Sequence, residues 1–469
     1  MVKTALIEYV TRQRWYGAKS RTVIHSEILD TVTVRQTEPQ LRLALVALTY
    51  DTGAHDLYQL LFAGSPAERE VDGLAEDANL ARELVSAIRS TLTLQGSQGV
   101  AEFRPAPEFT GLDQELGAAR LIASEQSNSS VVFDDALILK VFRRLEPGIN
   151  PELEVLRFLG AHGFRNAPAV GGWYEYSGGP LAATLGLLQE FVADGVDGWE
   201  LALDEIAAAP ERFLDRLGRL GEVTAQLHNA LGSDLGDAAF CPEEPSVEAL
   251  GLLTATVDEE IARVFLSLPH DDDRLAPIAG RGEEVREQLR HLTHVGSTGR
   301  VIRTHGDFHL GQTLVTGLGA SAAKPPTPGG TSQTPSASGG GNDWVVLDFE
   351  GEPGRTLAER RRKRSPLRDV AGMLRSFAYA ASAAELLRNT SVAEDWEERA
   401  RWRFLDSYLA AVDPTLLPAG DAAIERLLAV FELEKAVYEL RYELDNRPDW
   451  VGIPVAGIER LMNAAAEAI

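Results

Sequence analysis

At 469 residues and 50.9 kDa the chain exceeds what one ordinary hydrophobic core organises, so two or three coupled subdomains are expected. A composition of 44% hydrophobic and 25% charged residues is that of a soluble globular protein; 45 Lys plus Arg against 70 Asp plus Glu give a net charge of −25. Such a surface repels phosphate backbones and anionic lipid, which argues against nucleic-acid or membrane partners, and the single Cys241 excludes an intrachain disulfide framework.

From the N-terminus, Met1 to Arg21 lacks the apolar segment of a secretory signal, and no run approaches 18 uninterrupted apolar residues. A cytoplasmic location is the expectation. Residues 22–63 read as strands: Thr31–Val34, Leu41–Tyr50 and Leu57–Phe62 mix β-branched, aromatic and polar residues, with Asp51-Thr52-Gly53 as turn chemistry. Gly73 to Leu94 reads as a helix. A second β-rich stretch follows, in which Val131–Phe133 and Ala136–Phe142 flank Asp134-Asp135 as a tight hairpin. Asn150-Pro151 opens a helix, Asn being a favoured N-cap and Pro suited to the first turn. Beyond Asp204 the chain reads as mainly helical, interrupted by β segments at 301–316 and 344–349.

Residues 317–343 are rich in Gly, Pro, Ser and Thr and lack an apolar cluster. They cannot bury enough surface to offset the entropy of ordering, so they are expected to form a disordered insert in an overgrown hairpin.

The most informative stretch is Arg303-Thr304-His305-Gly306-Asp307-Phe308-His309-Leu310-Gly311-Gln312, followed by Val345-Val346-Leu347-Asp348-Phe349-Glu350. Phosphoryl transfer needs a carboxylate at the attacking hydroxyl, oxygen ligands for Mg2+ and a cation on the nucleotide phosphates. Asp307 stands five positions before Gln312, the spacing of base and amide metal ligand in a kinase catalytic loop, and Asp348 follows an apolar strand as the second metal-binding Asp does. Removing the insert reduces the Gln312–Asp348 separation to that of a compact hairpin. The alternative, a zinc site at His305-x-Asp307-x-His309, leaves Gln312 and Asp348 unexplained. His305 and His309 read chiefly as loop-holding residues, with His305 also an acceptor-site candidate.

Upstream, Lys140 lies on a strand face with Ile138 and Phe142 and needs a counter-charge; Glu154 is the expected partner and Glu152 the fallback. Ser127-Asn128-Ser129-Ser130 occupies the place of a phosphate loop, where hydroxyl, amide and backbone N–H donors would meet phosphate oxygens. Leu187–Val192 reads as the strand-to-hinge segment that meets adenine, with Glu190 and Val192 at its end. No Gly-Lys dipeptide and no G-x-S-x-G occur, so a Walker A NTPase and a nucleophile-elbow hydrolase have no support.

His305-Gly306-Asp307, Gln312 and Asp348-Phe349-Glu350 together resemble the aminoglycoside-phosphotransferase branch of the protein-kinase-like superfamily. Within it, three longer stretches resemble actinobacterial maltokinases: Arg14-Trp15-Tyr16-Gly17-Ala18-Lys19-Ser20-Arg21, the block from Asp348 through Leu357-Ala358-Glu359-Arg360 to Met373, and Asn446-Arg447-Pro448-Asp449-Trp450. The resemblance implies an α+β, bilobal protein-kinase-like fold with an N-terminal β-rich cap. The expected divisions are a cap over 1–95, an ATP-binding lobe over 96–200 and a helical lobe over 201–469. It also implies ATP-dependent phosphorylation of maltose to maltose 1-phosphate for α-glucan assembly from trehalose, with trehalose synthase as a potential partner. In that reading Asp307 is the base, Gln312 and Asp348 hold Mg2+, and Lys140 with Glu154 positions ATP; a monomer or small oligomer is expected. Two departures stand out: Gln312 where the pattern has Asn, and no Gly-rich loop before Lys140.

On the helix Glu432–Asp445, Leu433, Val437, Leu440 and Leu444 form a core stripe at 100° per residue, and Lys435, Tyr438, Glu439 and Tyr442 fall opposite. Aromatic plates and charged groups suit a sugar, so these four with Trp450 are the acceptor-site candidates; the alternative is a solvated face with a Lys435–Glu439 pair. The cluster Arg360–Arg364 reads as a solvated or salt-bridged turn, with a docking patch as the alternative, and Asp369 as a helix cap that also braces the catalytic loop. The rival functions are an amino-sugar or aminoglycoside kinase of the same fold, and a non-catalytic module partnering trehalose synthase.

Overall fold

A computed structural model of the chain describes residues 2–64, 72–113, 115–122, 128–269, 272–292, 299–318, 343–352 and 354–466. The chain divides into two compact units, residues 1–161 with 167–193, and residues 162–166 with 194–469.

The first unit begins with helix α1 (Val2–Thr11) and the strands β1 (Val23–Arg35), β2 (Leu41–Tyr50) and β3 (His55–Ala63). Gly53, at φ +81°, makes the turn between β2 and β3. Trp15 and Tyr16 of the first maltokinase-like stretch bury their rings with Leu6, Val10, Val46, Leu48, Tyr58 and Leu60, so that stretch serves the cap's own core. The segment 73–94 is not one helix. It breaks into α2 (Gly73–Glu76), a 3-10 turn, and α3 (Ala81–Arg89), because the Asp77 side chain accepts the Asn79 N–H and opens a new helix start there.

The strands β4 (Thr93–Gln95), β5 (Gly99–Pro105), β6 (Ala119–Leu121), β7 (Asn128–Phe133), β8 (Leu137–Phe142), β9 (Arg144–Leu145), β10 (Val170–Gly178) and β11 (Ala182–Glu190) follow, with α4 (Pro151–Ala161) between β9 and β10. A seven-stranded antiparallel sheet runs β4-β5-β10-β11-β8-β7-β6, and β9 joins the cap sheet in the order β1-β2-β3-β9. Asp134 and Asp135 both take positive φ in the three-residue loop between β7 and β8, a tight turn closed by the Ala136 N–H on the Phe133 carbonyl.

Buried polar groups stitch the two sheets together. Gln59 Nε2 on β3 donates to the carbonyls of Phe142 at 2.9 Å and Leu185 at 2.7 Å, and its Oε1 accepts from Tyr174 Oη at 3.0 Å. Arg143 forms a buried ion pair with Asp72. Asp30 on β1 accepts from Tyr176 Oη at 2.6 Å and from the Ser97 and Gln98 N–H groups. Burial opposes that carboxylate's charge, but these donors prevail and hold its pKa at about 2.

The second unit comprises β12 (Val196–Asp197), α5 (Gly198–Ala208), α6 (Pro210–Leu231), α7 (Val247–Leu266), α8 (Gly282–Leu292), β13 (Thr313–Thr316), β14 (Asp343–Val346), α9 (Leu357–Arg360), α10 (Leu367–Arg388), α11 (Trp396–Ala411), α12 (Asp421–Asn446) and α13 (Gly452–Ala466). Of 301–316, only 313–316 is a strand of the three-stranded sheet β12-β13-β14; Ile302 makes an isolated bridge to Arg364. In the β13–β14 pair, Thr316 faces Asp343 in register. Residues 319–342 of the expected insert lie outside the described residues. Arg219 on α6 grips the Asp343 carboxylate with two bonds of 3.0 Å, and Trp344 Nε1 donates to the Arg216 carbonyl, which fixes the hairpin on α6. The core stripe Leu433, Val437 and Leu440 of α12 packs with Ile261, Leu289, Val455 and Ile458 from α7, α8 and α13.

Candidate active site

The catalytic-loop stretch folds as an extended segment turning at Gly306, whose φ of +89° suits glycine. Asp369, buried in the first turn of α10, accepts the His305 N–H at 2.7 Å, the Gly306 N–H at 2.9 Å and a contact from His228 Nε2 at 3.3 Å. The bond from Tyr408 Oη to His228 Nδ1, 3.0 Å, continues this chain into α11. Asp369 therefore braces the loop, but the helix cap is Pro366 rather than Asp369. His305 is likewise structural. Its buried ring lies between Phe308 and Phe349, and Nε2 donates to the Leu347 carbonyl at 2.7 Å, so it has no free edge for an acceptor. His309 Nδ1 accepts the Gly311 N–H at 3.1 Å and caps the turn that carries Gln312; burial lowers its pKa and keeps it neutral.

These contacts aim Asp307 into an open cleft. Its Oδ1 lies 3.3 Å from Lys435 Nζ on α12. Burial pushes the Asp307 carboxyl up, but the Lys435 charge, with His309 and His305, brings it below the ordinary carboxylate value. Across the loop, Gln312 Nε2 donates to Asp348 Oδ2 at 3.1 Å, joining residues 36 positions apart. Asp348 sits at φ +61°, a left-handed conformation that costs a non-glycine residue roughly 1 kcal/mol or more and that collects at functional sites. The Gln312 amide oxygen and the Asp348 carboxylate are the hard oxygen donors that Mg2+ takes.

In the first unit, Lys140 Nζ lies 2.6 Å from Glu152 Oε1, so the fallback Glu152 supplies a counter-charge to this lysine. The reason is local. Asn150 Oδ1 caps the Glu152 N–H, starting α4 so that its first turn, with Glu152 fully buried, faces Lys140. Asn128, Ser129 and Ser130 belong to strand β7 and not to a loop; Ser129 Oγ accepts from Arg143 at 2.8 Å, and Ser127 lies outside the described residues. Ser130 stands directly across from Lys140, and Gln189 on β11 across from Ile138, so all four side chains share one sheet face. Ser130 Oγ and Gln189 Oε1 are buried there without a hydrogen-bond partner among the described residues. Orphaned buried acceptors beside a lysine fit a nucleotide's polar edges. Glu190 ends β11 exposed, with Val192 two residues beyond.

The acceptor-site candidates divide. Lys435 and Tyr438 line the cleft with Asp307, together with Phe431 and Glu434 from α12, Glu352 and Arg355 from the loop after Asp348, and Arg368 from α10. Tyr438 is 43% exposed and its ring lies 5.6 Å from Lys435 Nζ. Glu439 does not belong to this face: it is buried against Arg375 of α10, with bonds of 2.8 and 3.0 Å. Tyr442 and Trp450 are absent from the lining; Arg447 covers both rings, and Trp450 stacks on Tyr379. Helical phase alone misled because α12 is covered on further sides: α10 meets Glu439 and Glu443 through Arg375 and Tyr379, and Arg401 and Arg460 meet Glu432. Glu352 and Arg368 went unassigned, although both stand in the maltokinase-like block from Asp348 to Met373. In the Arg360–Arg364 turn, Lys363 pairs with Glu243 and Arg360 donates to the Glu350 carbonyl.

The family model of the APH phosphotransferase enzyme family matches residues 118–323, and that of the maltokinase N-terminal cap domain matches residues 9–85. A glucosamine kinase of Streptacidiphilus jiangxiensis is 26% identical over 369 residues, 76% of this chain and 75% of that protein. A glucosamine kinase of Mycolicibacterium smegmatis is 26% identical over 368 residues, 75% of this chain and 81% of that protein. The structure of a glucosamine kinase in complex with glucosamine, ADP and inorganic phosphate superposes with a TM-score of 0.67 at 20% identity, covering 97% of this chain and 98% of that one. A second crystal form of glucosamine kinase gives a TM-score of 0.70 at 20% identity, with 97% and 99% covered. At this identity the likeness establishes the kinase-like fold.

Proposed function

We propose, from the match of the APH phosphotransferase model to residues 118–323 and of the maltokinase cap model to residues 9–85, that the chain is a cytoplasmic maltokinase, transferring a phosphoryl group from Mg2+-ATP to maltose to give maltose 1-phosphate. The observation that carries this reading is the ionised Asp307 at the floor of an open, mixed-charge cleft, one turn from the Gln312–Asp348 oxygen pair. In this proposal Asp307 accepts the hydrogen bond of the attacking hydroxyl and aligns its oxygen; with a carboxyl held below its ordinary pKa, it orients more than it abstracts. Lys435 holds that carboxylate in place and ionised. Gln312 and Asp348 would hold the metal, which on binding neutralises the charge of the transferring phosphoryl group. Lys140, steadied by Glu152, would contact the nucleotide phosphates, with Ser130 and Gln189 supplying polar edges to the same face. Tyr438 offers an apolar plate to the sugar's C–H face. The product would feed α-glucan synthesis, with trehalose synthase a candidate partner.

The test is ATP consumption in the presence of maltose, with the phosphorylated position read by NMR. Maltose-dependent turnover giving phosphate on the anomeric oxygen supports the reading. Turnover with glucosamine and none with maltose overturns it in favour of the activity named for the relatives.

A further inference from the structure

Three of the four carboxylates lining the acceptor cleft are already matched to a cation, and the fourth, Asp369, is held by hydrogen bonds. Asp307 faces Lys435 at 3.3 Å, Glu352 accepts from Arg355 Nε at 2.6 Å, and Glu434 takes a bidentate grip from Arg368 at 2.7 and 2.9 Å. Beneath the loop, Asp369 is occupied by His228 and two backbone N–H groups. The remaining titratable neighbours on the catalytic loop are His305, bonded to the Leu347 carbonyl, and neutral His309. One further charge stands behind the pairs: Arg364, whose guanidinium has no ion-pair or hydrogen-bond partner among the described residues. Burial beside Arg368 and Arg355 lowers its pKa to about 10. With Arg364 counted, four cationic groups (Lys435, Arg355, Arg364 and Arg368) face the four carboxylates Asp307, Glu352, Asp369 and Glu434, so the charges of the cleft balance locally in a protein whose overall charge is −25.

We propose that Lys435, backed by the Arg355, Arg364 and Arg368 cluster, is a specificity-determining residue that admits uncharged polyhydroxyl acceptors and rejects protonated amino sugars. This rests on the reading of the site as a sugar kinase. A hydroxyl can accept from the Lys435 ammonium and donate to the Asp307 carboxylate, using both members of the pair. An ammonium has no lone pair for Lys435, and it finds no carboxylate in the cleft that is not already engaged by a cation or by hydrogen bonds. Bringing it in places two like charges side by side, which disfavours binding unless the pair is broken. Glucosamine and glucose differ at one substituent, so the charge is the variable that separates them.

The experiment compares glucose, glucosamine and N-acetylglucosamine at pH 6.5 and pH 9, as substrates or as competitors of maltose. At pH 6.5 glucosamine should be handled at least tenfold more weakly than glucose, and the gap should shrink at pH 9, where a sugar amine has lost its proton. Lys435 keeps its charge at pH 9, because Asp307 raises its pKa despite burial, so the pH arm titrates the ligand and not the gate. Lys435→Met should narrow the glucose-to-glucosamine ratio at pH 6.5, whatever it does to the absolute rate. Should that variant fail to fold, the pH dependence of the native protein decides alone. Glucosamine handled as well as glucose at pH 6.5, or a ratio indifferent to pH, overturns the inference. A protein without turnover on maltose overturns the sugar reading itself, which is a different outcome.

Discussion

Lys435 and Asp307 are 128 positions apart in the chain, and their charged atoms stand 3.3 Å apart at the floor of the cleft. The pair couples the position of the acceptor-orienting carboxylate to its ionisation.

Asp307→Asn should retain the fold and lose turnover by about 10²–10⁴-fold, the usual worth of a positioned acid–base group. Lys435→Met should act differently. The native carboxyl is held low by Lys435, so removing the ammonium raises its pKa and moves the acidic limb of kcat/KM to higher pH. A pH–rate profile of both forms reads the displacement, and an unmoved limb would show that Asp307 does not govern it.

Tyr438 and Glu439 are adjacent and should behave oppositely. Tyr438→Ala should raise KM for the sugar roughly fivefold, the loss of about 1 kcal/mol of ring contact, with Tm unchanged because the ring is half exposed. Glu439→Ala strands the buried Arg375 guanidinium and should cost about 3–5 kcal/mol of stability. Thermal melts and sugar kinetics on the two variants separate these outcomes.

Glu432 supplies a pH dependence of stability. It is buried on α12, where burial favours its neutral form, but Arg401 and Arg460, at 2.7 and 2.8 Å, hold its pKa at about 2 against an ordinary 4.5. A folded-state pKa below the unfolded one stabilises the protein above pH 4.5 and loses that contribution as pH falls toward 2. The contribution is on the order of 3 kcal/mol. Urea midpoints between pH 6 and 3 should fall more steeply for the native protein than for Glu432→Gln.

Deletion of residues 319–342 with a short turn in their place should leave sugar kinetics unchanged. Thr316 and Asp343 are already cross-strand partners, and Arg219 and Arg216 fix the hairpin from α6, so closure is determined without the insert. Shortening the loop gains only about 0.6 kcal/mol per halving of length. A collapse in activity would show the segment to be part of the site.

Local sequence spoke clearly wherever one chain segment determines its own geometry. The Asp134-Asp135 hairpin, the Asn150-Pro151 helix start and the β13–β14 pairing that joins Gln312 to Asp348 all follow from turn chemistry, caps and spacing. Contacts set by a second element were not legible. Glu439 left the sugar face because α10 brings Arg375 to meet it. Trp450 and Tyr442 left it because Arg447 folds back over their rings. In each case a periodicity gives the face of a helix but not the number of neighbours that cover it.

Gln59 fills a place where the β8–β11 ladder ends, taking up two carbonyls that no strand would satisfy. Together with the Asp72–Arg143 ion pair, it makes the cap a source of obligatory partners for the sheet that carries Lys140. Grafting this catalytic region behind a foreign leader, or expressing it from residue 96 onward, would expose a guanidinium and several carbonyls built to be dry. The seam thus prescribes inheritance as a unit. Recombination within this lineage should preserve Gln59, Asp72 and Arg143 together or lose the fold, and chimaeras that exchange caps while matching those three positions are the ones expected to yield soluble protein.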